Sequence, residues 1–151
     1  MSVGIGYDSH RFAEGRRLVL GGVEIDHPQG LAGHSDADVL THAVIDALLG
    51  AAGQGDLGTL FPDDDERWRD ADSIDLLRTA VGTVPGRIVN VDATVVCEQP
   101  RLAPHRAEIE RILAEVTSAR VSVKATTNEG MGWIGRGEGI ACIAVAFVEA
   151  G

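Results

Sequence analysis

The sequence predicts a single α/β domain of the two-layer kind, an α+β sandwich in which a four-stranded main sheet carries three helices on one face, with a short extra hairpin over residues 18–25. Three observations lead there. Apolar residues recur at spacings of three and four in three separate segments, the mark of amphipathic helices. Four other segments are alternating or wholly apolar, as strands are. The chain has 151 residues, 44% of them hydrophobic, enough for one ordinary core, and no linker divides it.

Taken in order, Ser2–Tyr7 is short, Gly-rich and partly apolar, a strand leading into Asp8-Ser9-His10. Strand side chains alternate, so Asp8 and His10 point to the same face. Glu14-Gly15-Arg16 reads as a turn, and Leu18-Val19-Leu20 and Val23-Glu24-Ile25, broken by Gly21-Gly22, as the hairpin. His27-Pro28-Gln29-Gly30 is a polar surface turn. The first helix lies in the stretch from Gly33 to Gly50. Ser35 followed by Asp38 resembles a capping box, so the helix starts there. Val39, Leu40, Ala43, Val44, Ala47, Leu48 and Ala51 form its core face. On the other side Asp38, His42 and Asp46 stack four residues apart, with His34 just outside the N-terminus. By itself that stripe fits a wetted helix face with a stray histidine equally well.

The loop Asp56–Glu66 is rich in carboxylates. Such runs are usually solvated connections, but Phe61-Pro62 inside it favours a structured loop at the edge of a site. Asp72-Ser73 can cap a second helix with Ile74, Leu77 and Val81 on its core face and a stop near Gly82. Arg87–Val96 alternates, placing Val89, Val91, Ala93 and Val95 on one face and Asn90, Asp92 and Thr94 on the other. After the connection Pro100–Pro104, Ile109, Ile112, Leu113 and Val116 mark the third helix, with Pro104 in its first turn. Strand Val121–Thr126, a loop Thr127–Gly139 and the almost wholly apolar strand Ile140–Val148 complete the chain. A strand apolar on both faces is covered on both, by helices or by a neighbouring subunit. The loop glycines, interleaved with Trp133, Ile134 and Arg136, suit close approach to a ligand, an oligomer contact, or plain hairpin geometry.

The net charge of −10 argues against a nucleic-acid surface, which needs concentrated Lys and Arg. No apolar run is long enough to cross a membrane and no signal-peptide pattern is visible, so a cytoplasmic protein is expected. Cys97 and Cys142, in apolar runs, read as buried free thiols. The chemistry concentrates elsewhere. Asp8 and His10 with His42 make three ligands of the kind zinc takes in catalytic sites, where a further position stays open. A core histidine paired with an aspartate is the commoner meaning of D-x-H alone; the helix stripe favours the metal, with Asp38 or Asp46 holding the second ring nitrogen of His42.

The segments Gly4–Phe12, Gly30–Leu40, His42-Ala43, Asp46–Gly50, Gly55–Gly58, Phe61–Asp63, Lys124–Glu129 and Gly135–Ala141 together resemble the 2-C-methyl-D-erythritol 2,4-cyclodiphosphate synthase family of non-mevalonate isoprenoid biosynthesis. The resemblance covers nearly the whole chain. It implies conversion of 4-diphosphocytidyl-2-C-methyl-D-erythritol 2-phosphate into the cyclic diphosphate with release of CMP. Zn²⁺ would be held by Asp8, His10 and His42, and a second ion, Mg²⁺ or Mn²⁺, by Glu129. His34 and Ser35 would grip phosphate, and Thr127 would add a hydrogen bond to the developing charge. Asp56, Gly58, Phe61, Pro62, Asp63 and Asp65 would line the erythritol pocket. Cys97, Pro100, Arg101, Leu102 and Ala103, largely through backbone, and Thr126 to Glu129 would hold the cytidine diphosphate end. The family is a homotrimer with each site between two subunits and a pocket on the trimer axis, here bordered by Trp133 and Arg136, that would take an isoprenoid diphosphate. Two rivals use the same residues differently: a zinc phosphohydrolase with Asp38 or Asp46 as base, or a trimeric isoprenoid-diphosphate binding module.

Overall fold

Five strands, not four, form the main sheet of the computed structural model, which describes residues 1–151. In chain order the elements are β1 (Ser2–Ala13), β2 (Leu18–Leu20), β3 (Val23–Ile25), β4 (Gly30–Leu31), α1 (Val39–Ala51), α2 (Leu57–Leu60), α3 (Ser73–Thr83), β5 (Arg87–Val96), α4 (Arg106–Thr117), β6 (Arg120–Thr126), α5 (Gly132–Gly135) and β7 (Gly139–Glu149). The sheet order is β4-β1-β7-β5-β6, with β5 and β6 parallel and the other pairs antiparallel. The predicted hairpin stands apart as β2–β3. The strand that sequence reading missed, β4, pairs Leu31 with Phe12 and Gly30 with Ala13. Two residues show no period, and the turn residues before them hide it.

Helices α1, α3 and α4 are the three predicted ones. Asp72 caps α3, accepting from the Ile74 N–H at 2.9 Å, and α4 ends on Ser118 in the left-handed conformation, φ 52°. Strand β5 departs from strict alternation. A bulge between Ile88 and Asn90 makes Ile88, not Val89, the buried partner of Val91, Ala93 and Val95. No helix is long and apolar enough to cross a membrane.

The approach of α1 to β1 positions everything that follows. A Cβ on Gly4 would lie 1.9 Å from the Ala47 carbonyl oxygen, and one on Gly6 1.9 Å from that of Ala43. Only glycine lets the helix backbone sit on the strand this closely. Beside β1, Ile140, Cys142, Ala144, Ala146 and Val148 of β7 are buried in the same core.

On the opposite face of the sheet no helix of this chain covers β7, which leaves the subunit alternative of the expected cover open. Ile143 and Val145 are 42% and 39% exposed, and their cross-strand partners Tyr7 and Ile5 are 57% and 70% exposed. With Val3 they form an apolar patch that no element of the chain covers. Polar Asp92 and Thr94 of β5 face Val145 and Ile143 across the next ladder.

Candidate metal centre and substrate cleft

Asp8 and His10 leave β1 on its helix-facing side, and His42 comes down to them from the first turn of α1. Ligand atoms of the three lie within 4.8 Å of one another. Asp8 Oδ2 is 2.8 Å from His10 Nε2 and 3.2 Å from His42 Nδ1, and the two ring nitrogens are 3.4 Å apart. On the far side of each ring an oxygen holds the other nitrogen. His10 Nδ1 donates to the Ala32 carbonyl at 2.8 Å; His42 Nε2 lies 2.8 Å from Ser73 Oγ and 3.1 Å from Ser35 Oγ. A carboxylate and two imidazoles anchored this way form a donor set that fits a divalent transition metal.

The partner of His42 differs from the expected aspartates. Asp38 is fully buried and faces away, accepting the N–H groups of Gly21 and Gly22 at 2.8 Å each, the Thr41 N–H at 3.0 Å and the Thr41 hydroxyl at 2.7 Å. It is the N-cap of α1, the role expected of Ser35, and a cap side chain folds back over the helix end instead of lying along its face. Burial, then the charge of Asp36, pushes its carboxyl above the ordinary range against those hydrogen bonds. Asp46 accepts at 2.7 Å from the N–H of Leu57, the first residue of α2, and lines the cleft beside the three ligands. Asp36 and Ser73, which do reach His42 as a pair, were missed. Nothing in the letters joins residues 37 positions apart.

Burial by itself would raise the Asp8 carboxyl, but hydrogen bonds and charge from His10 and His42 outweigh it and hold it at about 2. Burial likewise acts to lower His10, and the hydrogen bond and charge of Asp8 outweigh it, raising the imidazole above its ordinary 6.5. A depressed acid contributes stability above its ordinary 3.8 that is lost as pH falls towards about 2. A raised histidine contributes stability below 6.5 that is lost as pH climbs through its folded value. The metal-free protein should therefore gain most from the Asp8–His10 pair between about pH 4 and pH 6.5. Urea midpoints measured against pH should decline on both sides, and His10→Ala should flatten the alkaline decline. A profile unchanged by that substitution would contradict the pairing.

A cleft of about 600 Å³ opens beside the three ligands. His34, Ser35, Asp56, Gly58, Phe61, Pro62 and Asp63 line it as expected, joined by Trp68 and Leu76, which sequence reading did not single out. The acidic loop is structured, as Phe61-Pro62 suggested: Phe61 is buried edge-on against Trp68 with ring centroids 5.0 Å apart. Asp65 is not in the lining. Its carboxylate pairs with Arg67 at 2.6 Å while its carbonyl accepts from His34 Nε2 at 3.0 Å, so it orients His34.

The residues expected at the cytidine diphosphate end gather elsewhere, past the ends of β5 and β6, and none lines that cleft in the same chain. Cys97 and Leu102 are buried, which leaves mainly their backbone to offer, while Pro100, Arg101, Ala103 and Thr126 lie nearer the surface. Burial, then the Glu98 charge, pushes the Cys97 thiol up to about 11. Glu98, another residue missed, accepts the N–H groups of Asn128 at 2.8 Å and Gly130 at 2.9 Å, pinning the loop that exposes Thr127 and Glu129. Glu129, at φ 54°, is not among the ligands clustered around Asp8. Trp133 borders a different groove, with Ser9, Arg11 and Glu138, and Arg136 is ion-paired to Glu138 at 2.6 Å.

Comparison with known proteins agrees with this geometry. The YgbB family model matches residues 1–149. A 2-C-methyl-D-erythritol 2,4-cyclodiphosphate synthase of Syntrophomonas wolfei is 57% identical over 99% of both chains. Among solved structures, the bifunctional IspDF of Campylobacter jejuni superposes with a TM-score of 0.92 at 40% identity over 96% of this chain, which spans 41% of that longer one. The IspF of Plasmodium falciparum, solved as a CDP complex, gives 0.83 at 32% identity over 99% of this chain and 97% of its own. The chain belongs to the YgbB family, that of the 2-C-methyl-D-erythritol 2,4-cyclodiphosphate synthases.

Proposed function

We propose that the protein cyclises 4-diphosphocytidyl-2-C-methyl-D-erythritol 2-phosphate to 2-C-methyl-D-erythritol 2,4-cyclodiphosphate, releasing CMP. The observation carrying this reading is the convergence of Asp8 Oδ2, His10 Nε2 and His42 Nδ1 at the wall of the cleft. The two serines touching His42 are buried, at 7% and 0% exposure, and burial raises both cysteine thiols. The substrate supplies its own nucleophile. An oxygen of the 2-phosphate attacks the β-phosphorus, the bond from that phosphorus to the bridging oxygen breaks, and CMP departs with the bridging oxygen and its electron pair.

Phosphoryl transfer of this kind is mostly positioning and charge stabilisation. A divalent ion held by Asp8, His10 and His42, expected to be zinc, supplies Lewis-acid polarisation of the β-phosphate when bound. His34, its Nε2–H given to the Asp65 carbonyl, stands at the cleft wall and would donate to phosphate from Nδ1 as the imidazolium. Asp56 holds an erythritol hydroxyl, and Phe61 with Trp68 and Leu76 exclude water from the apolar side. At the N-terminus of α1 the Asp38 carboxylate already accepts the Thr41 N–H.

We place the cytidine diphosphate end on Pro100–Ala103 and Thr126–Glu129 of a neighbouring copy, where Glu129 would hold Mg²⁺ or Mn²⁺, an ion that would supply charge neutralisation for the diphosphate. Two observations support a trimer with shared sites: those residues do not line the cleft of their own chain, and the patch of Val3, Ile5, Tyr7, Ile143 and Val145 is bare. The CDP complex of the Plasmodium falciparum relative supports the cytidyl class of ligand. Ile143→Glu puts a charge in the patch and should yield monomers by light scattering, with turnover reduced more than about 100-fold because the site loses half its wall. Fully active monomers would exclude shared sites.

A phosphohydrolase would need a base that activates water at the cleft. Asp38, one of the two candidates, is spent on capping. Phosphorus NMR of the reaction with the cytidyl substrate decides between the two. Cyclic diphosphate and CMP in equal amounts are expected; accumulation of inorganic phosphate would establish hydrolysis.

A further inference from the structure

Behind His42, on the side away from the other ligands, lies a chain of hydrogen bonds with a defined direction. Asp36 has two carboxylate oxygens and three donors pointed at them. Its Oδ2 accepts the Ser73 N–H at 3.0 Å, and its Oδ1 accepts both the Asp38 N–H at 3.1 Å and the Ser73 hydroxyl. A carboxylate so surrounded is an acceptor only. The Ser73 hydroxyl has one proton, and that proton goes to Asp36. Ser73 is fully buried, so no water competes for it. What remains on Ser73 Oγ is lone pairs, and 2.8 Å away stands His42 Nε2.

We infer that Asp36 and Ser73 are positioning residues for the metal centre: they hold the imidazole proton of His42 on Nε2 and so leave the Nδ1 lone pair facing Asp8 and His10. The inference rests on the metal reading above. A neutral imidazole has one donor and one acceptor nitrogen, and the hydrogen bond made by one fixes the state of the other. Without the relay the Ser73 proton could turn towards Nε2, and the ring proton would then sit on Nδ1, which lies 3.2 Å from Asp8 Oδ2, and block a cation. His10 reaches the same end by simpler means, through its Nδ1–H and the Ala32 carbonyl. The ring on the strand is thus set by backbone. The ring on the helix is set by side chains: Ser73, opening α3 and oriented by Asp36 just before α1, is the nearer oxygen at 2.8 Å, and Ser35 Oγ stands at 3.1 Å from the same nitrogen.

The test reads the proton directly. Long-range proton–nitrogen correlation spectra of metal-free, ¹⁵N-labelled protein, at a pH where the ring is neutral, should show His42 as the Nε2–H tautomer. Ser73→Ala and Asp36→Asn should both move it towards Nδ1–H. Zinc affinity by chelator competition should fall about 10- to 100-fold in both variants. Ser73→Thr, which keeps the hydroxyl, should restore tautomer and affinity. Nδ1–H in the wild type overturns the inference, as does an unchanged tautomer and affinity in Asp36→Asn, the isosteric variant, should Ser73→Ala fail to fold. If the wild type takes up no zinc yet holds Nε2–H and the variants lose it, the relay stands and the metal reading falls.

Discussion

Replacing His42 by alanine is expected to abolish zinc binding and lower cyclisation by about 1,000-fold or more while leaving a folded protein. The loss is large because three donors become two: Asp8 and His10 alone do not make a site that holds a transition metal, and several kcal/mol of charge stabilisation at the β-phosphate goes with the ion. The fold should survive because His42 lies outside the apolar stripe of α1. Val39, Ala43, Ala47 and Leu48 stay buried whatever stands at 42. What the ring gives up is its contacts to Ser35, Ser73 and Asp8, a change of roughly 1–2 kcal/mol in either direction. Metal analysis, circular dichroism and turnover on one preparation check all three statements. Loss of metal with turnover intact would separate the site from the chemistry.

Gly6→Ala, by contrast, should damage fold and site together. A Cβ there meets the Ala43 carbonyl oxygen at 1.9 Å and the Ala47 nitrogen at 2.8 Å, both backbone atoms inside a helix. No rotamer relieves such a contact. The helix must retreat by about an ångström, which strips packing from the whole α1–β1 interface, and a cost of about 3 kcal/mol or more is expected. Because β1 carries Asp8 and His10 and α1 carries His42, the same retreat should also weaken the metal. Gly82→Ala on α3 is the matched comparison. A Cβ there has open space, and alanine should stabilise the protein by about 0.5–1 kcal/mol. Urea unfolding of the two variants should move in opposite directions; a Gly6→Ala protein with wild-type stability would mean that α1 does not depend on this contact.

Why some of this was legible in the sequence and some was not follows from the range of each interaction. Asp8 and His10 were placed together by strand alternation, and His42 by the start of an apolar helix; both are local rules. Their meeting required only that β1 pack under α1, which Gly4 and Gly6 permit. Asp38 was misassigned because a residue at a helix start and a residue one turn further on share the same spacing but not the same direction. The Asp36–Ser73 pair and the Glu98 contacts to the Asn128–Gly130 loop are long-range, and no periodicity announces them. The bulge at Val89 and the two-residue β4 have too little sequence to show a pattern. The bare apolar face of β1 and β7 was half visible: the apolar run of β7 demanded cover, and the fold shows which side lacks it.

One measurement bears on the metal centre without intermediaries. Crystals of the protein grown with zinc, with anomalous data collected above and below the zinc edge, should show one strong peak per chain bonded to Asp8, His10 Nε2 and His42 Nδ1 at about 2.0–2.2 Å, on the open side of the cleft. A peak held by other residues, or no peak at full zinc loading, would contradict the assignment of these three side chains to a single ion.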